Sequence, residues 1–341
     1  MRIQYKLFGL FLLTISVLIP LILIPNSLNL QTIYIPKIFV LLSSFILFPF
    51  LVFKLNKHDR LLIIFIFYIL ISILWSDYNI STWTSILSYY SIIFLTYFMV
   101  RKYRIGYGAG IFFFIATFLV ESFLHYNFIG FERGSINSSY LIGSISVSFL
   151  ALSKSRLKKL FEILLIPFLL LSARRFLLVH LITFSRFKTK NLFILLLLMF
   201  LGITLLTIVY SYSNIDNYSL FLGYRVFEYL VIYNDLTYSE FFLGRGLGSN
   251  KEIFDFFSNV VEEHVGIFHN LFNTTFFQFG LVGVVLFYKF LLGLIFEFKN
   301  YNAVVTIALA WIMVSLIDSP RDGHWPLGLF LGILSNNSKK C

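Results

Sequence analysis

Leu61-Leu62-Ile63-Ile64-Phe65-Ile66-Phe67-Tyr68-Ile69-Leu70-Ile71-Ser72-Ile73-Leu74-Trp75 is an uncharged and almost wholly apolar run. It follows Lys54, Lys57 and Arg60 and ends on a tryptophan. The next apolar run, 82–100, reverses that order and ends on Arg101, Lys102 and Arg104. A helix of about 20 apolar residues crosses a bilayer, Lys and Arg collect at its cytoplasmic ends, and Trp collects at the membrane interfaces. The two runs therefore read as a membrane hairpin that leaves a basic face and returns to it.

Working outward, the same alternation covers the chain. About twelve apolar runs lie near residues 7–24, 36–53, 61–75, 82–100, 106–124, 138–152, 159–171, 174–185, 191–210, 267–288, 301–317 and 325–336. Every second connection is basic: besides the two above, Lys154, Arg156, Lys158 and Lys159; Arg186, Lys188 and Lys190; Lys289 and Lys299. Arg2, Lys6, Lys339 and Lys340 add both termini to that set, which predicts cytoplasmic N and C termini. The expected fold is an all-α polytopic membrane protein, a single integral membrane domain over 1–341, with one large periplasmic loop at 211–266 between the ninth and tenth helices. The basic, apolar start lacks a small-residue cleavage site and has Pro20 and Pro25 instead, so a retained first helix is expected. Cys341 is the sole cysteine, which excludes a disulfide framework and a cysteine metal site.

Charge separates by side. Of 27 Lys and Arg, nineteen fall on the expected cytoplasmic side against three acids (Asp59, Glu162, Glu297). The formal balances are +16 inside and −5 outside, which together give the net +11. The basic character is thus a topology signal and not a footprint for nucleic acid. The outer set is Lys37, Arg133, Arg174, Arg175, Arg225, Arg245, Lys251 and Arg321, six of the eight being Arg. Arginine offers a permanently charged planar fork that grips phosphate in two places, so an anionic ligand is expected on the outer face.

Three segments concentrate that chemistry. Arg174-Arg175 interrupts an otherwise apolar stretch, where charge at membrane depth points to function; the alternative is a turn whose guanidinium groups reach lipid phosphates. Leu243-Gly244-Arg245-Gly246-Leu247-Gly248 could present backbone amides to an anion or could form a tight turn between interfacial helices. His269-Asn270 opens the tenth helix, ahead of Gln278, Gly280 and Gly283. An imidazole there can serve as a general base near neutrality or merely cap the helix. Glu263, His264 and His269 lack helical H-x-x-x-H spacing, which argues against zinc, and no G-x-x-x-x-G-K motif supports nucleotide hydrolysis.

In this order the segments resemble the O-antigen ligase/polymerase superfamily. Leu171-Ser172-Ala173-Arg174-Arg175 is similar to its S-R motif, although Phe176 stands where members commonly have Gly. Arg225 with Gly244-x-Gly246-x-Gly248 resembles its R…G-x-G loop, and His269-Asn270 with Gly280 and Gly283 its H-N…G-x-x-G segment. Trp75-Ser76-Asp77 and Ser135-Ile136-Asn137 also sit where members carry W-S and G-x-x-N elements. The resemblance implies a GT-C-like inner-membrane glycosyltransferase with a periplasmic active site, inverting, and using no metal, nucleotide or other cofactor. Its donor would be an undecaprenyl-pyrophosphate-linked oligosaccharide. Arg175 and Arg225 would hold the pyrophosphate, Arg174 and Arg245 would support them, and His269 would deprotonate the acceptor, with Asn270, Gly244, Gly246 and Gly248 supporting. The short chain and small loop favour the polymerase reaction over ligation to lipid A–core. Membrane lipids and a chain-length regulator protein are the partners expected of such an enzyme. A flippase for lipid-linked sugars is the alternative of another class, and it would carry more charge along its helices.

Overall fold

The computed structural model describes residues 2–23, 34–51, 55–76, 80–106, 236–249, 271–297 and 325–337, with isolated positions at 109, 113 and between 191 and 205. Among the described residues the structure is helical and has no strand. The helices are α1 (Arg2–Leu23), α2 (Tyr34–Leu51), α3 (Lys57–Ile71), α4 (Ile80–Lys102), α5 (Tyr238–Leu243), α6 (Leu271–Glu297) and α7 (Trp325–Asn337). A 3₁₀ turn over Ser72–Trp75 continues α3. Two stretches, Lys57–Trp75 and Leu271–Leu294, are long and apolar enough to cross a membrane. Most of the other expected spans, and most of the 211–266 loop, lie outside the described residues.

Local chemistry sets the helix ends. Asn56 caps α3 in a reciprocal box: its side chain accepts from the Asp59 amide, and Asp59 accepts from the Asn56 amide at 2.6 Å. At the far end of α4, Arg104 takes a left-handed conformation (φ 49°). Ile105 then donates to Val100 and Arg104 to Arg101, a Schellman closure with Ile105 buried. The largest departure from expectation is α6. A helix ending at 288 is expected, with Lys289 in the connection, yet α6 runs on to Glu297. Lys289 is exposed, and the apolar residues after it carry the helix onward to an ion pair described below.

α3, α4 and α6 meet in an aromatic core. The Phe65 ring lies 5.1 Å from Phe287, 5.7 Å from Tyr90 and 5.9 Å from Phe279, centroid to centroid. Tyr90 is buried and its hydroxyl hydrogen-bonds Thr275 at 3.0 Å, which satisfies the phenol inside an apolar setting. α7 crosses α4 through Gly328 and Gly332, four residues apart. A Cβ at Gly328 would stand 2.3 Å from the Ile93 carbonyl oxygen, and one at Gly332 2.7 Å from the Val100 Cβ. Small residues at that spacing allow two helix backbones to approach closely. Asn336 at the end of α7 donates to the Val100 carbonyl at 2.7 Å.

The outward faces are also apolar. On α3, Ile64, Phe67, Leu70, Ile71 and Leu74 are exposed, while Leu62, Phe65 and Ile69 are buried. On α2, Leu42, Phe45, Ile46 and Phe50 are exposed. A helix apolar on both faces matches hydrocarbon outside and protein inside, whereas in water such faces would be covered.

Charge is gathered and paired at one end of the bundle. Asp59 is fully buried; it accepts from Tyr97 at 2.8 Å and forms an ion pair with Arg101. Glu297 pairs with His58 and lies 3.6 Å from Lys57. Lys102 donates to the Phe50 carbonyl, tying the end of α4 to the end of α2. These contacts bring the start of α3 and the ends of α2, α4 and α6 together, so Trp75 and the first turns of α6 stand at the opposite end.

Candidate functional site

That opposite end holds the Arg245 loop. Of the residues singled out from the sequence, Arg245, Gly244, Gly246 and Gly248 are described; Arg174, Arg175, Arg225, His269 and Asn270 lie outside the described residues. The loop begins at Thr237, which caps α5 in a second reciprocal box with Glu240: the Thr237 amide donates to the Glu240 carboxylate at 2.8 Å. α5 stops after six residues because Gly244 adopts φ 77°.

The chain then lies against a break in α6. Gly280 has φ 59° and ψ −165°, which interrupts the helix ten residues into its apolar length. At that break the Phe277 carbonyl accepts from the Arg245 amide at 3.0 Å and the Gln278 carbonyl from the Gly246 amide at 2.9 Å. Buried backbone that leaves the helical pattern requires such partners, because an unpaired N–H or C=O away from water is costly. Glycine is required on both sides of the contact. A Cβ at Gly244 would stand 2.2 Å from the Gln278 carbonyl oxygen, and one at Gly280 2.4 Å from that of Phe242.

Residues after Trp75 complete the clamp. Ser76 donates to the Leu247 carbonyl at 2.5 Å and accepts from the Trp83 indole at 3.0 Å. Tyr68 donates to the Leu243 carbonyl at 2.9 Å. Gly246 is close enough to α3 that a Cβ would lie 2.8 Å from the Ser72 carbonyl. Leu247 and Ser249 are fully buried.

The loop's chemistry follows from these bonds. The amides of Gly244, Arg245 and Gly246 all donate to protein carbonyls. Those three amides are not an anion cradle. Arg245 supplies the cation instead. Its Nε donates to Glu240 at 3.1 Å, and its guanidinium lies 5.0 Å from the centre of the Phe277 ring. The Glu240 carboxylate accepts from the Thr237 amide and hydroxyl, each at 2.8 Å, as well as from Arg245. Gln278, beneath the loop, is fully buried with neither end of its carboxamide hydrogen-bonded. A buried carboxamide without partners is costly and therefore rare.

Sequence reasoning did not foresee the Asp59–Arg101 and His58–Glu297 pairs, whose members enter the topology only as side-counting charges. The Asn56-x-x-Asp59 spacing was the one available signal, and it reports the cap rather than the pairing. Ser76, the 244–248 segment and Gly280, separated by up to about two hundred residues, meet in one place. No protein-family model matches the chain, and no curated protein sequence matches it.

Proposed function

We propose that the protein is a surface-glycan polymerase of the bacterial inner membrane, with cytoplasmic termini and a periplasmic active site. It would transfer a growing glycan from undecaprenyl pyrophosphate to an incoming lipid-linked repeat unit. One observation carries this reading: Ser76, the 244–248 glycines and Gly280, which lie in the segments that resemble the superfamily's, are remote along the chain and come together at the Arg245 loop and the break in α6. His269 and Asn270 directly precede α6 in sequence, so the base would enter from the helix on which the loop is seated.

The chemistry needs little else. The acceptor hydroxyl oxygen attacks the anomeric carbon, the bond to pyrophosphate breaks, and His269 takes the hydroxyl proton. Attack opposite the leaving group inverts the anomeric centre. Negative charge grows on the pyrophosphate as the bond breaks, and fixed arginines that strengthen their contacts at that stage lower the barrier. Arg175 and Arg225 carry that role. Arg245 supports them, since part of its charge is balanced by Glu240. Gene deletion in the native host, followed by gel analysis of the lipopolysaccharide, tests the reading. Polymerase function predicts loss of the ladder with core plus one repeat unit retained, and no rescue by His269→Ala. An unchanged ladder, or one restored by that variant, refutes the function or the base respectively.

A further inference from the structure

The polarity of α5 is inverted relative to a water-exposed helix. Its six residues, Tyr238-Ser239-Glu240-Phe241-Phe242-Leu243, include no buried one. Tyr238 is 92% exposed and Phe241, Phe242 and Leu243 are all exposed. The one charged side chain, Glu240, turns inward to Thr237 and Arg245. Four large apolar groups face out while the acid faces the protein. Water penalises that arrangement, and hydrocarbon favours it.

The anchoring points of the segment are deep. Gly280 follows Leu271 by nine residues, which at 1.5 Å each is roughly 13 Å along α6. Tyr68, which holds the Leu243 carbonyl, precedes Trp75 by seven residues, roughly 10 Å along α3. Both distances lie well within a hydrocarbon core of about 30 Å. The exposed face of α5 also continues the exposed apolar face of α3, because Tyr68 joins the two.

We infer that residues 237–249 form a re-entrant element: α5 is embedded in lipid acyl chains with its aromatic face outward, and Arg245 is carried below the membrane surface. This rests on the membrane reading above and deepens it, because it removes the segment from the aqueous part of the 211–266 loop. The element would meet a lipid-linked substrate at the depth where the polyprenyl chain joins its phosphates. Arg245 tolerates that depth because Glu240 and the Phe277 face replace its water.

Site-directed spin labelling in liposomes tests the inference. In a Cys341→Ser background, single cysteines replace Phe242, Leu243 and, on the exposed face of α3, Phe67. Oxygen, which concentrates in lipid, and a water-soluble nickel complex compete to relax each label. Greater relaxation by oxygen at all three positions is the expected result. Oxygen preference at Phe67 with nickel preference at Phe242 and Leu243 overturns the re-entrant element and leaves the membrane reading intact. Nickel preference at all three overturns both. Immobilised labels at Phe242 and Leu243, shielded from both agents, would show a protein partner on this face and would also overturn the inference.

Discussion

Gly280→Ala should detach the Arg245 loop from α6, and its cost can be worked from the contacts. An alanine at φ 59° and ψ −165°, a region open essentially to glycine alone, loses roughly 1–3 kcal/mol to its own backbone sterics. The added methyl would stand 2.4 Å from the Phe242 carbonyl oxygen and 2.5 Å from the Gly244 nitrogen. Both neighbours are backbone, so no rotamer change relieves the clash, and the loop has to withdraw. Withdrawal breaks the Arg245–Phe277 and Gly246–Gln278 bonds, worth about 1 kcal/mol each.

The total is roughly 3–5 kcal/mol, which at about 2–4 °C per kcal/mol for a large domain lowers Tm by roughly 6–20 °C. Thermal unfolding of detergent-purified protein, followed by loss of the monodisperse size-exclusion peak, measures it. Gly106→Ala is the matched control, since nothing lies within 4 Å of a Cβ there and its φ is not positive. A Gly280→Ala protein that melts with the Gly106→Ala control would refute the docking argument.

Three further outcomes are expected. Asp59→Ala removes a buried carboxylate that pairs with Arg101 and accepts from Tyr97 and the Asn56 amide, and should cost about 3–5 kcal/mol; Asp59→Ala/Arg101→Ala should regain part of that loss in the same melting assay, and a double variant no better than the single one would contradict the pairing. Glu240→Ala removes the carboxylate that accepts from the Thr237 amide and from Arg245, which should loosen the start of α5. A spin label at Tyr238, in a Cys341→Ser background, should therefore gain mobility in Glu240→Ala, and an unchanged spectrum would contradict the pairing. Gly328→Leu should push α7 off α4 and cost about 1–3 kcal/mol or more through overpacking against the Ile93 carbonyl, whereas an unshifted Tm would mean the seam can yield.

What the sequence made legible was what depends on length and local charge. The runs near 7–24, 36–53, 61–75, 82–100 and 325–336 coincide with α1, α2, α3 with its 3₁₀ extension, α4 and α7, because long apolar segments must satisfy their backbone internally and so form helices. Lys289 misled the reading of α6, since a lysine in an apolar run looks like a stop when it is only an exposed residue on a continuing helix. The glycines of 244–248 were legible as positions needing unusual backbone. Their reason was not, because what a Cβ would strike is decided by Gln278 and Ser72, far away in sequence. Asp59 entered the reading only as an acid among basic residues; its service to Tyr97 and Arg101, beyond the Asn56 cap, requires knowing that α3 and α4 run side by side.

The two ends of α3 are held by opposite kinds of interaction, and the difference bears on how a site could work there. At the Lys57 end, His58 pairs with Glu297 of α6, and Asp59 pairs with Arg101 of α4. Between those points the Phe65, Tyr90, Phe279 and Phe287 rings lock the same three helices together. At the Trp75 end, Tyr68, Ser76 and two α6 carbonyls grip the loop's backbone directly. Glu240 and Arg245, the charged side chains of residues 237–249, pair with each other beside those backbone bonds. A guanidinium seated by backbone bonds keeps its position when an anion draws it from its carboxylate partner, because the bonds that fix the loop do not pass through it. Catalysis by fixed charge asks for that preorganisation. A loop anchored through Arg245 itself would lose its geometry at the moment the arginine engaged a phosphate.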